Sequence, residues 1–257
     1  MTASPGDLFS LANKTVLVAG GTRGIGQAIS LRCARAGAVV IASYLRNEQA
    51  AASLKAMADE ENLAISLCRA DLTSDKGLEV LDRTLSASSS PLSGLVYCAA
   101  TGVHRPMNEL TERHFDFIFN LNVRAFLRVV RLVRPRLSTG SSIVAISSMG
   151  ATRALPSYSL VGSSKGALEA LARHYAVELA PAGIRVNILT AGAVLTDAWK
   201  AMPDSDARLA ATVRRTPIGR LVTAEEVAYG AQFLCSDASA GMIGHTLILD
   251  GGAGLLA

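Results

Sequence analysis

Thr15-Val16-Leu17-Val18-Ala19-Gly20-Gly21-Thr22-Arg23-Gly24-Ile25-Gly26 is an apolar, strand-like run that passes directly into a glycine-rich turn. The amphipathic segment Ile25–Ala36 follows at once. Glycines in the turn allow the chain to fold back tightly and let its backbone approach a ligand. The helix start behind them presents unpaired N–H groups and a partial positive charge, which suits a pyrophosphate. A glycine cluster alone would be accounted for by a tight turn. Its position between a strand and a helix is what reads as a dinucleotide-phosphate loop.

Outward from that loop the same alternation continues. Val39–Tyr44, Ala64–Cys68, Leu95–Cys98, Ser142–Ser147, Arg185–Thr190 and Thr246–Asp250 read as further buried strands. Glu48–Glu61, Lys76–Ser86, Glu112–Leu137, Tyr158–Ala180 and Ala224–Cys235 read as amphipathic helices between them. Strands alternating with helices imply an α/β, doubly wound Rossmann fold: a seven-stranded parallel sheet with helices on both faces. No internal repeat or second composition regime interrupts residues 1–257, so one domain is expected. The segment 194–215, with Trp199, Met202 and Pro203, breaks the rhythm just beyond a strand. Open α/β sheets bind ligands at that edge, so a substrate lid is expected there, against the plainer reading of a surface excursion.

Bulk properties narrow the class. Hydrophobic residues make up 50% of the chain and charged residues 18%, with a mean hydropathy of +0.32. These values suit strands covered on both sides. No run approaches the length of a membrane span, and Met1–Lys14 carries no secretory pattern. Cys33, Cys68, Cys98 and Cys235 show neither disulfide nor zinc spacing, which favours a reducing, cytoplasmic setting. The histidines 104, 114, 174 and 245 are isolated, so no metal is expected. The formal charge of +4 is dispersed, giving no nucleic-acid signature.

The second strand runs into Ala42-Ser43-Tyr44-Leu45-Arg46, without the acid that NAD-binding loops use to hold the ribose 2′-hydroxyl. Arg23 and Arg46 instead offer two guanidinium forks to a 2′-phosphate, so NADP(H) is the expected cofactor.

Taken together, the chain resembles the short-chain dehydrogenase/reductase family along almost its whole length. The family's TGxxxGxG pattern appears as Ala19-Gly20-Gly21-Thr22-Arg23-Gly24-Ile25-Gly26, with Ala for the opening Thr. Asp71 stands where the family binds adenine, Asn122 matches its helix asparagine, and Asp250-Gly251-Gly252 its closing motif. Tyr97-Cys98-Ala99-Ala100 replaces the NNAG segment. The usual YxxxK motif is absent, because Val161 stands four residues before Lys165; Tyr158 lies seven before it. That Tyr-x6-Lys spacing resembles the enoyl-acyl-carrier-protein reductase branch, as do Thr216-Pro217-Ile218-Gly219-Arg220 and Phe233-Leu234-Cys235-Ser236. Seven residues are nearly two helical turns, so on one helix Tyr158 and Lys165 would share a face.

The resemblance implies catalytic roles for Tyr158, Lys165 and Ser148. It implies cofactor contacts from Gly20, Thr22, Arg23, Gly24, Ile25, Gly26, Tyr44, Arg46, Asp71, Leu72, Ala99, Asn122, Lys165, Gly192 and Thr196. The expected reaction is NADPH-dependent reduction of the 2,3-double bond of an enoyl thioester, with Tyr158 stabilising the enolate. A carbonyl reductase of a specialised pathway is the second reading, and a cofactor-binding protein without turnover the third. Arg124, Arg128 and Arg131 share a helix face. That stripe suits solvent or a subunit contact, and alternatively an acidic acyl carrier protein. The family likeness implies a homotetramer.

Overall fold

The computed structural model describes residues 8–88, 90–195 and 205–255. Among them, seven strands pair in parallel: β1 (Thr15–Ala19), β2 (Val39–Tyr44), β3 (Ile65–Arg69), β4 (Leu92–Tyr97), β5 (Ser142–Ser148), β6 (Arg185–Ala191) and β7 (Thr246–Leu249). Their order in the sheet is β3-β2-β1-β4-β5-β6-β7. The helices are α1 (Gly24–Arg35), α2 (Glu48–Glu60), α3 (Asp75–Ser86), α4 (Glu112–Phe119), α5 (Ala125–Val133), α6 (Ser159–Leu179), α7 (Ser205–Arg214) and α8 (Ala224–Cys235).

Strand periodicity sorts the core into two layers. Val16, Val18, Val96 and Val144 point to one face, where Ile29 and Cys33 of α1, Leu54 of α2 and Val227 of α8 cover them. Leu17, Leu95 and Ile143 point to the other, against Leu81 of α3, Phe126 and Val129 of α5 and Leu168 of α6. Every residue of β1 and β6 is buried, as strands sandwiched between helices must be. From β1 the chain builds outward through β2 and β3, then returns to lay β4 on the other side of β1. This reversal opens a crevice beyond the paired ends Ala19 and Tyr97, where ligands of such sheets bind. Among the described residues no helix is long and apolar enough to cross a membrane.

Three expectations need correction. The helix expected over Glu112–Leu137 is broken by a wider, π-type turn at Asn120–Arg124 and ends in a 3₁₀ turn at Arg134–Arg136. The break has a cause in Asn122: its side chain is fully buried and bonds sideways to Thr101 and Ser164. The segment 194–215 is not irregular throughout, since Ser205–Arg214 forms α7, and Val194 bridges to Val222 at its root. Trp199, Met202 and Pro203 lie outside the described residues. Finally, Tyr158 precedes α6 as its N-cap residue rather than standing on the helix.

Arg185 at the start of β6 is buried and fastens the end of α8. Its guanidinium donates to the carbonyls of Leu234 (2.9 Å), Ser236 (3.1 Å) and Ser239 (3.2 Å), and to the Ser239 hydroxyl (2.7 Å). Arg185→Leu removes these four charge-assisted bonds, although the Leu234 and Ser239 carbonyls keep donors from Ser142 and Met242. It should lower the unfolding free energy by about 2–4 kcal/mol in urea titrations, with the m-value unchanged.

Candidate active site

The crevice is built first by backbone. Gly20 has φ of +74°, and a Cβ there would lie 2.8 Å from the Cα of Ala99. A Cβ on Gly26 would meet the Gly20 carbonyl oxygen at 2.0 Å. Only glycine lets the turn close against β4 and α1 in this way. Arg23, the N-cap of α1, makes no side-chain cap bond, and the first turn carries no acid. The N–H groups there are left for an anion, so the loop fits a dinucleotide pyrophosphate on its own geometry.

A cleft of about 700 Å³ extends from this loop across the ends of β1, β2 and β4. Gly20, Thr22, Arg23, Gly24, Ile25, Gly26, Tyr44, Arg46, Asp71, Leu72 and Ala99 all line it, as the sequence indicates. Arg23 and Arg46 are exposed and form no ion pair among the described residues, whereas nearby Arg69 is paired with Glu48. Asp71 is the one acid among the described residues of the lining, and its carboxylate accepts the amide and hydroxyl of Thr73 at 2.9 and 2.6 Å. The sequence reading missed Phe117, Asn120 and Leu121, which reach the cleft from α4 and the π turn. Asn120 and Leu121 belong to the π turn, which is invisible in the periodicity.

Three expected cofactor residues, Asn122, Gly192 and Lys165, are not in the lining of this cleft. Asn122 is 0% exposed, so its side chain does not face the cleft. It accepts the Thr101 N–H (2.9 Å) and donates to the Thr101 carbonyl (3.0 Å) and the Ser164 hydroxyl (2.9 Å), bracing the β4–α4 loop against α6. Gly192 leaves β6 beside β7, where a Cβ would lie 2.7 Å from the Cα of Asp250. Thr196 lies outside the described residues.

Tyr158, Ser148 and Lys165 do converge. The Tyr158 carbonyl accepts the Gly162 N–H at 2.7 Å as the first bond of α6, and the phenol lies at the end of β5. Its hydroxyl lies 3.3 Å from the Ser148 hydroxyl. The ring fills the space over Gly150, where a Cβ would come within 2.4 Å, and faces the His104 ring at 5.3 Å between centroids. Burial raises the phenol's pKa and the Ser148 contact partly offsets this, so the hydroxyl stays protonated at neutral pH. Val161, in the usual tyrosine register, is buried against Gly102, and a Cβ on that glycine would lie 2.8 Å from it. Lys165 is 7% exposed and donates to the Ile146 carbonyl at 2.8 Å. Desolvation brings its ammonium down to about 8. Cys98 borders the cleft near Lys165, and burial pushes its thiol up to about 11.

Residues 19–254 match the family described as Enoyl-(Acyl carrier protein) reductase. The chain belongs to this branch of the short-chain dehydrogenases/reductases. It is 30% identical to the 1-cyclohexenylcarbonyl-CoA reductase of Streptomyces collinus, over 94% of this chain and 87% of that one. It is 32% identical to an NADH-dependent enoyl-acyl-carrier-protein reductase of Enterococcus faecalis, over 95% and 99%. A 7α-hydroxysteroid dehydrogenase solved with NADH and 7-oxo glycochenodeoxycholic acid superposes with a TM-score of 0.91, at 31% identity over 97% and 98% of the two chains. The protein is therefore an oxidoreductase of a fold that binds a nicotinamide cofactor.

The Gly20–Gly26 contact provides a test of the loop. Gly26→Ala should weaken binding of a nicotinamide dinucleotide at least about tenfold, or about 1.4 kcal/mol, in a fluorescence titration. An unchanged affinity would show that the loop does not hold the pyrophosphate.

Proposed function

We propose that this protein reduces the 2,3-double bond of an enoyl thioester with NADPH. The observation that carries the reading is the placement of Tyr158. Displaced to the cap of α6, it still brings its hydroxyl to the end of β5 beside Ser148, while Val161 fills the register of the ordinary tyrosine. In carbonyl reduction, the hydride lands on the carbon bonded to the oxygen that needs stabilising. In an enoyl thioester it lands on the β-carbon, and negative charge accumulates on the thioester oxygen, farther along the conjugated chain. The stabilising donor must then stand farther from the hydride source, and a tyrosine one turn earlier in the chain suits that longer reach.

When bound, the cofactor supplies the hydride. The chain's own groups do the rest. Tyr158, kept neutral by burial, donates a hydrogen bond to the developing enolate oxygen. Ser148 orients that hydroxyl or the substrate oxygen. Lys165 holds the nicotinamide ribose hydroxyls and adds positive charge behind the tyrosine. The names of the two relatives supply both a CoA and a carrier-protein thioester, and either carrier suits this reading. The proposed setting is a cytoplasmic homotetramer. In support, the four cysteines are free thiols, and Phe115 and Val177 lie exposed on α4 and α6. Of the arginine stripe, Arg128 is committed to Asp75 and the Thr73 carbonyl, which leaves it a poor docking group for a carrier protein.

A second reading, carbonyl reduction, is favoured by one observation: the 3.3 Å Ser148–Tyr158 pair is also what polarises a ketone. Oxidation of NADPH with crotonyl-CoA and with acetoacetyl-CoA separates the two. Turnover of crotonyl-CoA, falling at least about 100-fold in Tyr158→Phe, is the expected result. Turnover of acetoacetyl-CoA alone would replace the proposal with the second reading.

The cofactor choice rests on Arg23 and Arg46, unpaired at the cleft, although both the Enterococcus enzyme and the steroid dehydrogenase are named with NADH. A doubly charged 2′-phosphate gains from guanidinium forks that a ribose hydroxyl does not need. The Arg23→Ala, Arg46→Ala double variant should lose about 10²–10³-fold in NADPH affinity and change little toward NADH. Equal losses for both cofactors would remove the basis for NADPH.

A further inference from the structure

The last three residues of β5 are each taken by a different side chain from α6 or its cap. The Ile146 carbonyl accepts Lys165 Nζ at 2.8 Å, and the Ser148 hydroxyl lies 3.3 Å from that of Tyr158. Between them, the Ser147 hydroxyl donates to Glu169 Oε1 at 2.7 Å. The Thr190 hydroxyl on β6 donates to the same oxygen at 3.4 Å. Glu169 is only 4% exposed, and no part of the proposed chemistry uses it. A carboxylate is rarely placed so deep without a partner that needs its charge.

Glu169 stands four residues after Lys165, so the two side chains share one face of α6 and descend onto adjacent residues of β5. We propose that Glu169 is a positioning residue for Lys165: fixed by Ser147 and Thr190, it holds a buried negative charge one turn behind the ammonium and keeps that lysine protonated in the cofactor site. The role follows from what else faces the pair. Just past β4, Cys98 acts on Lys165, and Glu169 does so from the lysine's own helix. With its thiol at about 11, Cys98 is neutral when Lys165 loses its proton near 8, and the phenol of Tyr158 is neutral as well. Glu169 is then the operative negative charge. Facing Glu169 are the hydroxyls of Ser147 and Thr190 and, on its outer side, half-exposed Arg173 at 3.4 Å.

The sign is fixed. Burial pulls Lys165 toward neutrality, and a nearby anion opposes it. Removing the anion lets the ammonium discharge at lower pH, so cofactor grip fails earlier as pH rises. This rests on the proposed role of Lys165 in cofactor binding, but not on the enoyl substrate.

The test uses the full-length, cofactor-free protein. Competitive acylation with acetic anhydride across pH 6–10, read by peptide mass spectrometry, gives the Lys165 midpoint, with exposed Lys55 as internal reference. Glu169→Gln keeps an oxygen for Ser147 and Thr190 and removes only the charge. Its Lys165 midpoint should fall by at least about one pH unit, making acylation at pH 7 up to about tenfold faster than in wild type, with Lys55 unchanged. NADPH affinity in the variant should be near wild type at pH 6 and clearly weaker at pH 8. An unchanged midpoint in folded Glu169→Gln would reduce Glu169 to a packing role and overturn the proposal. Should that variant not fold, Arg173→Gln removes the opposing cation from the half-exposed side. It should raise the Lys165 midpoint, and no change or a fall would also overturn the proposal. Because no substrate is added, a negative crotonyl-CoA assay leaves this result standing.

Discussion

The close docking of α6 on the end of β5 is the constraint from which the rest of the site follows. It depends on an absence of side chain: a Cβ on Gly162 would stand 2.6 Å from the Gly150 carbonyl, and one on Gly150 would overlap the Tyr158 ring. With both positions bare, the helix start lies against the strand end. Residues 146, 147 and 148 then become anchors for Lys165, Glu169 and Tyr158. Three polar groups are thereby held by neighbouring points on one rigid strand. That precision would be hard to obtain from separate loops.

A second brace ties this centre to the cofactor cleft. Tyr97, fully buried at the end of β4, donates its hydroxyl to the Leu121 carbonyl at 2.5 Å, and Asn122 binds Thr101 and Ser164. These bonds tie the broken helix, the β4–α4 loop and α6 together. Asn120 and Leu121 of the π turn line the cleft wall.

Much of this was legible in the chain. Strand runs, the glycine loop and the two arginines read directly, because each depends on local pattern: period, turn chemistry, or charge at a strand end. The π turn did not, because the apolar period across Glu112–Leu137 continues through it. Its cause is a long-range bond from Asn122, to which periodicity is blind. α7 was hidden by weak helical patterning in Ser205–Arg214. Tyr158 read as helical because spacing from Lys165 measures only distance along the chain, not where the first turn begins. Glu169 carried a faint signal as an acid on the inward face of an apolar helix. Only its two hydroxyl partners on different strands give it meaning.

The Val161 side chain occupies the register of the commoner tyrosine and packs against the Gly102 turn, while the Tyr158 ring needs Gly150 bare. Position 161 is packed closely against that turn, and the Tyr158 ring fills the space over Gly150. The two spacings are therefore alternative packings of one corner rather than neighbouring points on a continuum. Moving the tyrosine from one register to the other would require the Gly102 turn and the helix start to be rebuilt together.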